Sequence, residues 1–159
     1  MHVRKARVEE AQAIIDLHVD TVRRVNSRDY SPQQIDAWLG RRRVEVTEAM
    51  IRDGQYYVCV DEAGHLLGMG NIKGDELFAL YVSADHQGEG IGSLILRRIE
   101  EDALGDGICR IKADSTVTAE GFYRRCGYVV FERKVLKIAR GQTLEVVAMV
   151  KELKAEGLR

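Results

Sequence analysis

The stretch that decides the fold runs from Glu76 to Ser93 and reads ELFALYVSADHQGEGIGS. Its apolar run, Leu77 to Val82, is typical of a strand that is buried on at least one face. A polar turn from Ser83 to His86 follows, and glycine then occupies every second position, 88, 90 and 92, directly before an amphipathic helix. This order of strand, glycine-rich turn and helix predicts that several backbone amides converge at the start of the helix.

Amides that converge at a helix start favour a bound anion, because the first N–H groups of a helix lack intrahelical partners and lie at its positive end. The anion is most often a phosphate, and a tight turn without any ligand is the plainer alternative. Two common nucleotide patterns are absent. No lysine follows Gly92, as a P-loop requires, and Ser93 stands where a dinucleotide fingerprint has its third glycine. We therefore expect a phosphorylated ligand of another kind.

The composition of the 159-residue chain is that of an ordinary globular protein, and we expect one domain over residues 1–159. The formal net charge of −1 gives no general attraction to nucleic acid or to anionic membranes. No apolar run is long enough to span a bilayer, and no signal-peptide pattern opens the chain. The three cysteines (Cys59, Cys109 and Cys126) show neither a disulfide framework nor the spacing of a metal site. We therefore expect a reduced, cytoplasmic protein without a metal.

The rest of the chain alternates predicted strands and helices in the order β-α-α-β-β-β-α-β-α-β-β. The clearest helix start lies at Ser31, Pro32 and Gln34, which form a capping box, and Gly40 ends that helix. Apolar spacing predicts further helices over residues 91–103 and 118–126, and another helix is expected over 46–52. Because a helix joins the fourth strand (76–82) to the fifth (108–113), these two strands should run parallel. The fold class is therefore α/β, with a mixed sheet and helices on its faces.

Two motifs resemble those of the GCN5-related N-acetyltransferase (GNAT) family. The loop Gln87-Gly88-Glu89-Gly90-Ile91-Gly92 is similar to the family's Q/R-x-x-G-x-G/A motif, and it stands in the family's place, between strand four and a helix. Residues 119–128, AEGFYRRCGY, resemble the signature A-x-x-F-Y-x-x-x-G-F/Y. Residues 149–153 also look like the family's last strand. Two motifs in the correct order are far more specific than either alone, and the resemblance spans nearly the whole chain, most loosely over the first 50 residues.

The resemblance implies that acetyl-CoA binds as a co-substrate in a gap between splayed strands four and five. The pyrophosphate would meet the amides of six loop residues and one hydroxyl: Gln87, Gly88, Glu89, Gly90, Ile91, Gly92 and Ser93. The pantetheine arm would pair, like an extra strand, with the exposed edge formed by Leu80, Tyr81 and Val82. Phe122 would pack near the pantetheine or adenine, or only within the core. Thr116 stands where the family often has Asn or Ser, and its hydroxyl would keep that hydrogen bond to the cofactor.

The implied reaction moves an acetyl group from a thioester to an amine. A lysine-like ammonium has a pKa of about 10.4, so a base must first remove a proton. Glu76 is the predicted base, directly or through a water, and a solvated acid at a strand end is the alternative. A strand-four N–H near Val82 would stabilise the oxyanion. Tyr123 is the predicted acid that serves the departing CoA thiolate, and a tyrosine that only shapes the cleft is the alternative.

The acceptor cannot be read from the sequence: a small-molecule amine and a protein amine both fit, whereas nucleic acid and membrane are not expected as partners. The resemblance implies that residues 25–43 and 139–142 build much of the acceptor pocket, and these segments match the family least. Relatives also make a homodimer a reasonable expectation. A hypothesis of another class is an acetyl-CoA-binding sensor or regulatory module without turnover. The presence of both Tyr123 and Glu76 favours the enzyme.

Overall fold

Seven strands form one mixed sheet in the computed structural model, which describes residues 1–40 and 42–155. The strands lie in the order β1-β2-β3-β4-β5-β7-β6, and every neighbouring pair is antiparallel except β4 and β5. Their bounds are β1 His2–Lys5, β2 Tyr56–Val60, β3 Leu66–Lys73, β4 Glu76–Val82, β5 Arg110–Thr116, β6 Val129–Lys137 and β7 Thr143–Glu152. Arg41 and residues 156–159, which the predicted single domain and acceptor segments include, lie outside the described residues.

Helices cover both faces of this sheet, which confirms the predicted α/β class. Their bounds are α1 Ala11–Arg24, α2 Pro32–Leu39, α3 Val44–Arg52, α4 Ile91–Gly105 and α5 Glu120–Arg125. Helices α1, α2 and α3 pack on one side, the front face, and α4 and α5 pack on the other, the back face. No helix of the described ranges is both long and apolar enough to cross a membrane.

The start of α2 has the predicted capping box. The Gln34 backbone N–H donates to Ser31 Oγ at 3.1 Å, and the Ser31 N–H donates to Gln34 Oε1 at 2.8 Å. These two bonds satisfy donors that a helix start leaves without partners. Gly40 ends the helix with a φ of +49°, a value that glycine adopts without the cost of a side chain.

Side chains of β2 alternate between the two faces, as its sequence predicts. Tyr56, Val58 and Val60 join the core of the front face, whereas Tyr57 and Cys59 join the core of the back face. All five side chains are buried, because helices cover the sheet on both sides at this strand. The strand therefore sits at the centre of the fold.

Glycines in β3 bring α4 unusually close to the sheet. A Cβ atom at Gly70 would lie 2.8 Å from Cδ1 of Ile99, and one at Gly68 would lie 2.9 Å from Cδ1 of Ile95. Real Cβ atoms do not approach other carbons so closely, so both positions require glycine if α4 is to stay where it is. The close packing holds the first turn of α4 against the end of β4, where the glycine loop lies.

The parallel pairing of β4 with β5 is confirmed, and it is short. Only Glu76 with Lys112 and Leu77 with Ala113 are paired. Beyond them β4 stays on β3, while β5 stays on β7 through seven residue pairs. The two strands therefore diverge, and the sheet opens into a gap beyond Leu77.

Candidate active site

The glycine loop forms the left-handed turn that its spacing suggests. Gly88 and Gly90 have φ values of +77° and +80°, and open space surrounds the position of a Cβ at each. Gly90 is the N-cap of α4, and its carbonyl accepts the N–H of Leu94. The N–H groups of the first helical turn therefore have no partner inside the helix, and they lie at the positive end of a 15-residue dipole.

Side chains tie the loop to the end of β4. Gln87 Nε2 donates to the carbonyl of Val82 at 2.8 Å and to that of Ser83 at 3.2 Å. His86 Nδ1 lies 2.9 Å from Glu89 Oε2 on the solvent side. These contacts fix the loop with its side chains already engaged, so its backbone amides are the groups available for an anion.

A cavity of about 440 Å³ extends from this loop into the gap between β4 and β5. Its walls include the predicted site residues from both motifs and from the β4 edge: Leu80, Tyr81, Val82, Gln87, Gly88, Gly90, Ile91, Gly92, Ser93, Thr116, Phe122 and Tyr123. Glu76 and Glu89 are the predicted residues that do not line it. The tertiary structure thus brings two motifs about thirty residues apart in sequence to one cavity.

The edge of β4 that faces the gap has free backbone groups. The carbonyl of Val82 points away from β3, because it accepts the Thr21 hydroxyl at 3.0 Å as well as the Gln87 amide. Backbone groups alternate in direction along an antiparallel strand, so those of Leu80 point into the gap as well. The N–H and C=O of Leu80 and the N–H of Val82 can therefore pair with an extended ligand arm.

Tyr123 lies on the back face, deep in the wall of the cavity, and is only 5% exposed. Its ring packs against Phe122 and Tyr128, each with ring centres 5.3 Å away. Burial raises the pKa of the Tyr123 hydroxyl well above its ordinary value, and the nearby Tyr81 and Cys126 raise it further. The phenol therefore keeps its proton at neutral pH and can donate a hydrogen bond into the cavity.

Thr116 lies where β5 ends and is engaged on both sides. Its Oγ1 accepts the N–H of Ala119 at 3.2 Å and lies 3.5 Å from Nδ2 of Asn26. The hydroxyl hydrogen is still available to the cavity, since both contacts use the oxygen as acceptor. Thr116 thus holds the turn into α5 in place and can also donate to a ligand.

Glu76 is exposed and lies at the end of β4 that is farthest from the glycine loop. It is paired with Lys73 on β3 and with Lys112 on β5. Because Leu77 points into the back-face core, Glu76 projects from the front face. It is two residues, or roughly 7 Å along the strand, from Phe78, which does line the cavity. A water molecule would be needed to connect its carboxylate with a group in the gap.

Four residues of the cavity wall escape a reading of the sequence: Thr21, Val25, Asn26 and Asp114. The first three belong to the end of α1 and the turn after it, about sixty residues before the glycine loop. A buried threonine within the apolar stripe of α1 was the only signal for Thr21. Asp114 looks in sequence like any exposed residue of an alternating strand.

The described residues contain no group of three or more histidine, cysteine, aspartate or glutamate side chains that could hold a metal ion. The chemistry of the cavity therefore has to be derived from backbone amides, hydroxyls and carboxylates.

Comparisons with known proteins agree with this geometry. The family model described as "Acetyltransferase (GNAT) domain" matches residues 26–153. A solved GCN5-related N-acetyltransferase from Rhodopseudomonas palustris, also described as "Aminotransferase, Class-II", is 27% identical with a TM-score of 0.86, and the alignment covers 95% of this chain and 94% of that one. No protein of curated function matches the sequence significantly.

Two more distant structures share the fold. The PaiA N-acetyltransferase from Thermoplasma acidophilum, solved in complex with coenzyme A, is 18% identical with a TM-score of 0.74, and the alignment covers 95% of this chain and 98% of that one. A phosphinothricin acetyltransferase of the GNAT superfamily from Sinorhizobium meliloti, in complex with acetyl-CoA, is 17% identical with a TM-score of 0.70, over 95% and 87% of the two chains. Since the family model covers most of the sequence and the sheet has the expected split, the chain belongs to the GCN5-related N-acetyltransferase (GNAT) family.

Proposed function

We propose that this protein is an N-acetyltransferase that moves the acetyl group of acetyl-CoA to a primary amine by direct attack. Membership of the family supports acyl transfer in general. The observation that carries the finer proposal is the convergence of three features on one cavity: the glycine loop at its mouth, the unpaired edge of β4 along its side, and the buried Tyr123 hydroxyl. Each feature suits one part of an acyl-CoA thioester.

The residues present fit coenzyme A. The amides from Gly88 to Ser93 and the start of α4 suit a pyrophosphate, and Arg125, also in the wall, adds a positive charge. The free groups of Leu80 and the N–H of Val82 suit the amides of a pantetheine arm. Two relatives with the same fold were solved with coenzyme A or acetyl-CoA. Acetyl-CoA supplies the activated acetyl group, and this chain supplies its placement.

Tyr123 is proposed to assist the leaving group. As the new C–N bond forms, the C–S bond breaks and charge develops on sulfur, which the Tyr123 hydroxyl can stabilise by donating a hydrogen bond. A thiol has a pKa of about 8.5, lower than the raised pKa of this phenol. The tyrosine therefore retains most of its proton, and solvent completes the protonation of the thiolate. A free N–H of the β4 edge, at Leu80 or Val82, can stabilise the oxyanion.

Glu76 is proposed to remove the amine proton through a water. Its place on the front face supports this role, because the amine has to reach the thioester from the side opposite Tyr123. The proton passes from nitrogen to the water and the Glu76 carboxylate, and then to solvent. The carboxylate is exposed, so it returns to its charged form without assistance from another side chain.

The test combines turnover with binding. Acetyl-CoA is titrated into the protein by calorimetry, and thiol release is then followed with a panel of alkylamines, amino acids, aminoglycosides and lysine-containing peptides. We expect both binding and amine-dependent thiol release, with the acetylated amine visible by mass spectrometry. Binding without release for any acceptor would instead support a sensor, and an absence of binding would overturn both readings.

A further inference from the structure

We propose that the acceptor binds on the front face at the start of the gap, with its primary ammonium against Asp114 and an unbranched aliphatic chain over Phe78. This inference rests on the proposed N-acetyltransferase function and names the class of its substrate. The shared chemistry is an ammonium at the end of an alkyl chain, as found in a free diamine or in a lysine side chain.

The position of the two residues follows from the register of the sheet. Leu77 and Ala113 are the last paired residues of β4 and β5, so Phe78 and Asp114 are the first residues beyond the split. Leu77 and Ala113 both point into the back-face core. Successive side chains alternate, so Asp114 projects from the front face. Phe78 does so too, since it contacts a second cavity whose wall is formed by α3.

Asp114 is the only carboxylate among the described residues that line the cofactor cavity. Its side chain is 46% exposed, and its Oδ2 lies 3.1 Å from Nζ of Lys134. An ionised carboxylate accepts about four hydrogen bonds, so one lysine leaves Oδ1 available for a second cation. An ammonium held there would sit at the opening of the split, beside the place proposed for the thioester.

Phe78 provides an apolar floor next to this carboxylate. It is 58% exposed, although the two residues that follow it along β4 are half-buried. The register of β3 and β4 shifts here: Ile72 pairs with Leu77 and Asn71 with Ala79, so Phe78 has no partner on β3. A bulge of this kind re-aims a side chain. The exposed ring can therefore contact both methylene groups and a cation.

The second cavity, of about 680 Å³, adjoins the first at Phe78 and gives the far end of an acceptor a place to lie. Apolar side chains of α3 form much of its wall: Val46, Ala49 and Met50. Two carboxylates, Glu45 and Asp53, outnumber the single ammonium of Lys73. The amide oxygen of Asn71, which is 5% exposed, accepts no hydrogen bond within the described part of the chain. A distal amine would complement both the charge and this acceptor, so diamines should bind better than monoamines.

The front face also suits the direction of the reaction. Tyr123 lies on the back face, and Asp114 lies on the front face of the same split. An amine held at Asp114 therefore approaches the thioester from the side opposite the hydroxyl proposed to stabilise the leaving sulfur. An α-amino acid should be a poor acceptor, because its carboxylate would be placed beside Asp114.

The test compares Asp114→Asn with two controls, Lys134→Gln and Asp106→Asn, an exposed acid on the turn after α4. With 1,5-diaminopentane as acceptor, we expect Asp114→Asn to raise the amine KM by about 10- to 100-fold, since a charge-assisted bond is lost. Its dissociation constant for acetyl-CoA should stay at the wild-type value. Lys134→Gln should leave the amine KM unchanged or lower it. An equal rise in Asp114→Asn and Lys134→Gln would show a merely structural ion pair and overturn the proposal.

Two further measurements separate the possible sources and failures. Phe78→Ala, and the double variant Glu45→Gln/Asp53→Asn, should remove the preference for 1,5-diaminopentane over pentylamine. A lysine-containing peptide as acceptor distinguishes a protein source from a free diamine. Titration of 1,5-diaminopentane and of the peptide into the CoA-loaded protein tests the site without turnover: binding weakened by Asp114→Asn supports it even if no acetyl transfer occurs, and an absence of binding by both ligands overturns it.

Discussion

Gly92 on α4 is in contact with the ring of Phe122 on α5: a Cβ atom at Gly92 would lie 3.1 Å from Cε2 of Phe122. The third glycine of the loop motif therefore differs in role from the other two. Gly88 and Gly90 have positive φ angles in open space, whereas Gly92 is an ordinary helical residue in a crowded place. The two sequence motifs meet at this contact, which sets the distance between the helices on either side of the cavity.

Replacing Gly92 by alanine should force Phe122 or α4 to move. We expect a loss of about 1–3 kcal/mol in the free energy of unfolding, typical of an overpacked site, together with weaker acetyl-CoA binding. Urea unfolding and calorimetric titration measure the two effects. The double variant Gly92→Ala/Phe122→Leu should recover part of both. Gly105→Ala is the matched control, because Gly105 ends the same helix in open space without a positive φ; equal behaviour of the two alanine variants would contradict the packing argument.

The Tyr123→Phe variant keeps the ring contacts with Phe122 and Tyr128 and loses only the hydroxyl. We expect kcat to fall about 10- to 100-fold, the cost of one hydrogen bond to a developing charge, with the acetyl-CoA dissociation constant nearly unchanged. Steady-state thiol release measures this effect. The raised pKa of Tyr123 also predicts that the wild-type rate shows no ionisation of this phenol below about pH 10. An unchanged kcat across pH would remove Tyr123 from the mechanism.

The role of Glu76 is tested by the shape of the pH–rate profile. If its carboxylate accepts the amine proton through water, Glu76→Gln should lower kcat by about a hundredfold and change the rise of the rate with pH. Glu62→Gln, on the turn between β2 and β3, serves as an exposed control of the same chemistry. A Glu76→Gln enzyme with the wild-type alkaline rise would assign proton removal to solvent.

His18 on α1 makes the stability of the fold sensitive to acid. It packs on Tyr81 with ring centres 4.3 Å apart, and its Nε2 is buried without a hydrogen-bond partner among the described residues. Burial, together with the charge of Arg42, lowers the pKa of His18 to about 3. The unfolded chain binds a proton near pH 6.5 and the folded chain does not, so stability is lost as the pH falls from about 6.5 toward 3.

The expected size of this loss is about 2 kcal/mol in the free energy of unfolding between pH 7 and pH 5. Urea unfolding at the two pH values measures it. His18→Phe should lose correspondingly less over the same range, whatever its stability at pH 7. The exposed His2→Gln variant is the control and should follow the wild type. An equal pH dependence in wild type and His18→Phe would show that His18 is not held neutral.

Much of the fold could be predicted from local patterns. The capping box at Ser31, the alternation of β2 and the parallel direction of β4 and β5 all follow from periodicity and connection rules, and all three are confirmed. Element ends were less predictable. The first strand was expected to reach Arg7 and ends at Lys5, and the fifth was expected over 108–113 and spans Arg110–Thr116. The last residue of a strand depends on its neighbour in the sheet, which a local pattern does not contain.

The sequence by itself determined the strand, the glycine turn, the helix start and the Phe122-Tyr123 pair, because each depends on residues close together in the chain. Only the tertiary structure decided how these parts form a site. The gap exists because β5 pairs with β7 along its whole length while β4 stays on β3. The Val82 carbonyl is occupied by a threonine about sixty residues away, and Asp114 reaches the cavity because the split begins one residue before it. Such neighbours are set by the packing of whole elements, and no local spacing records them.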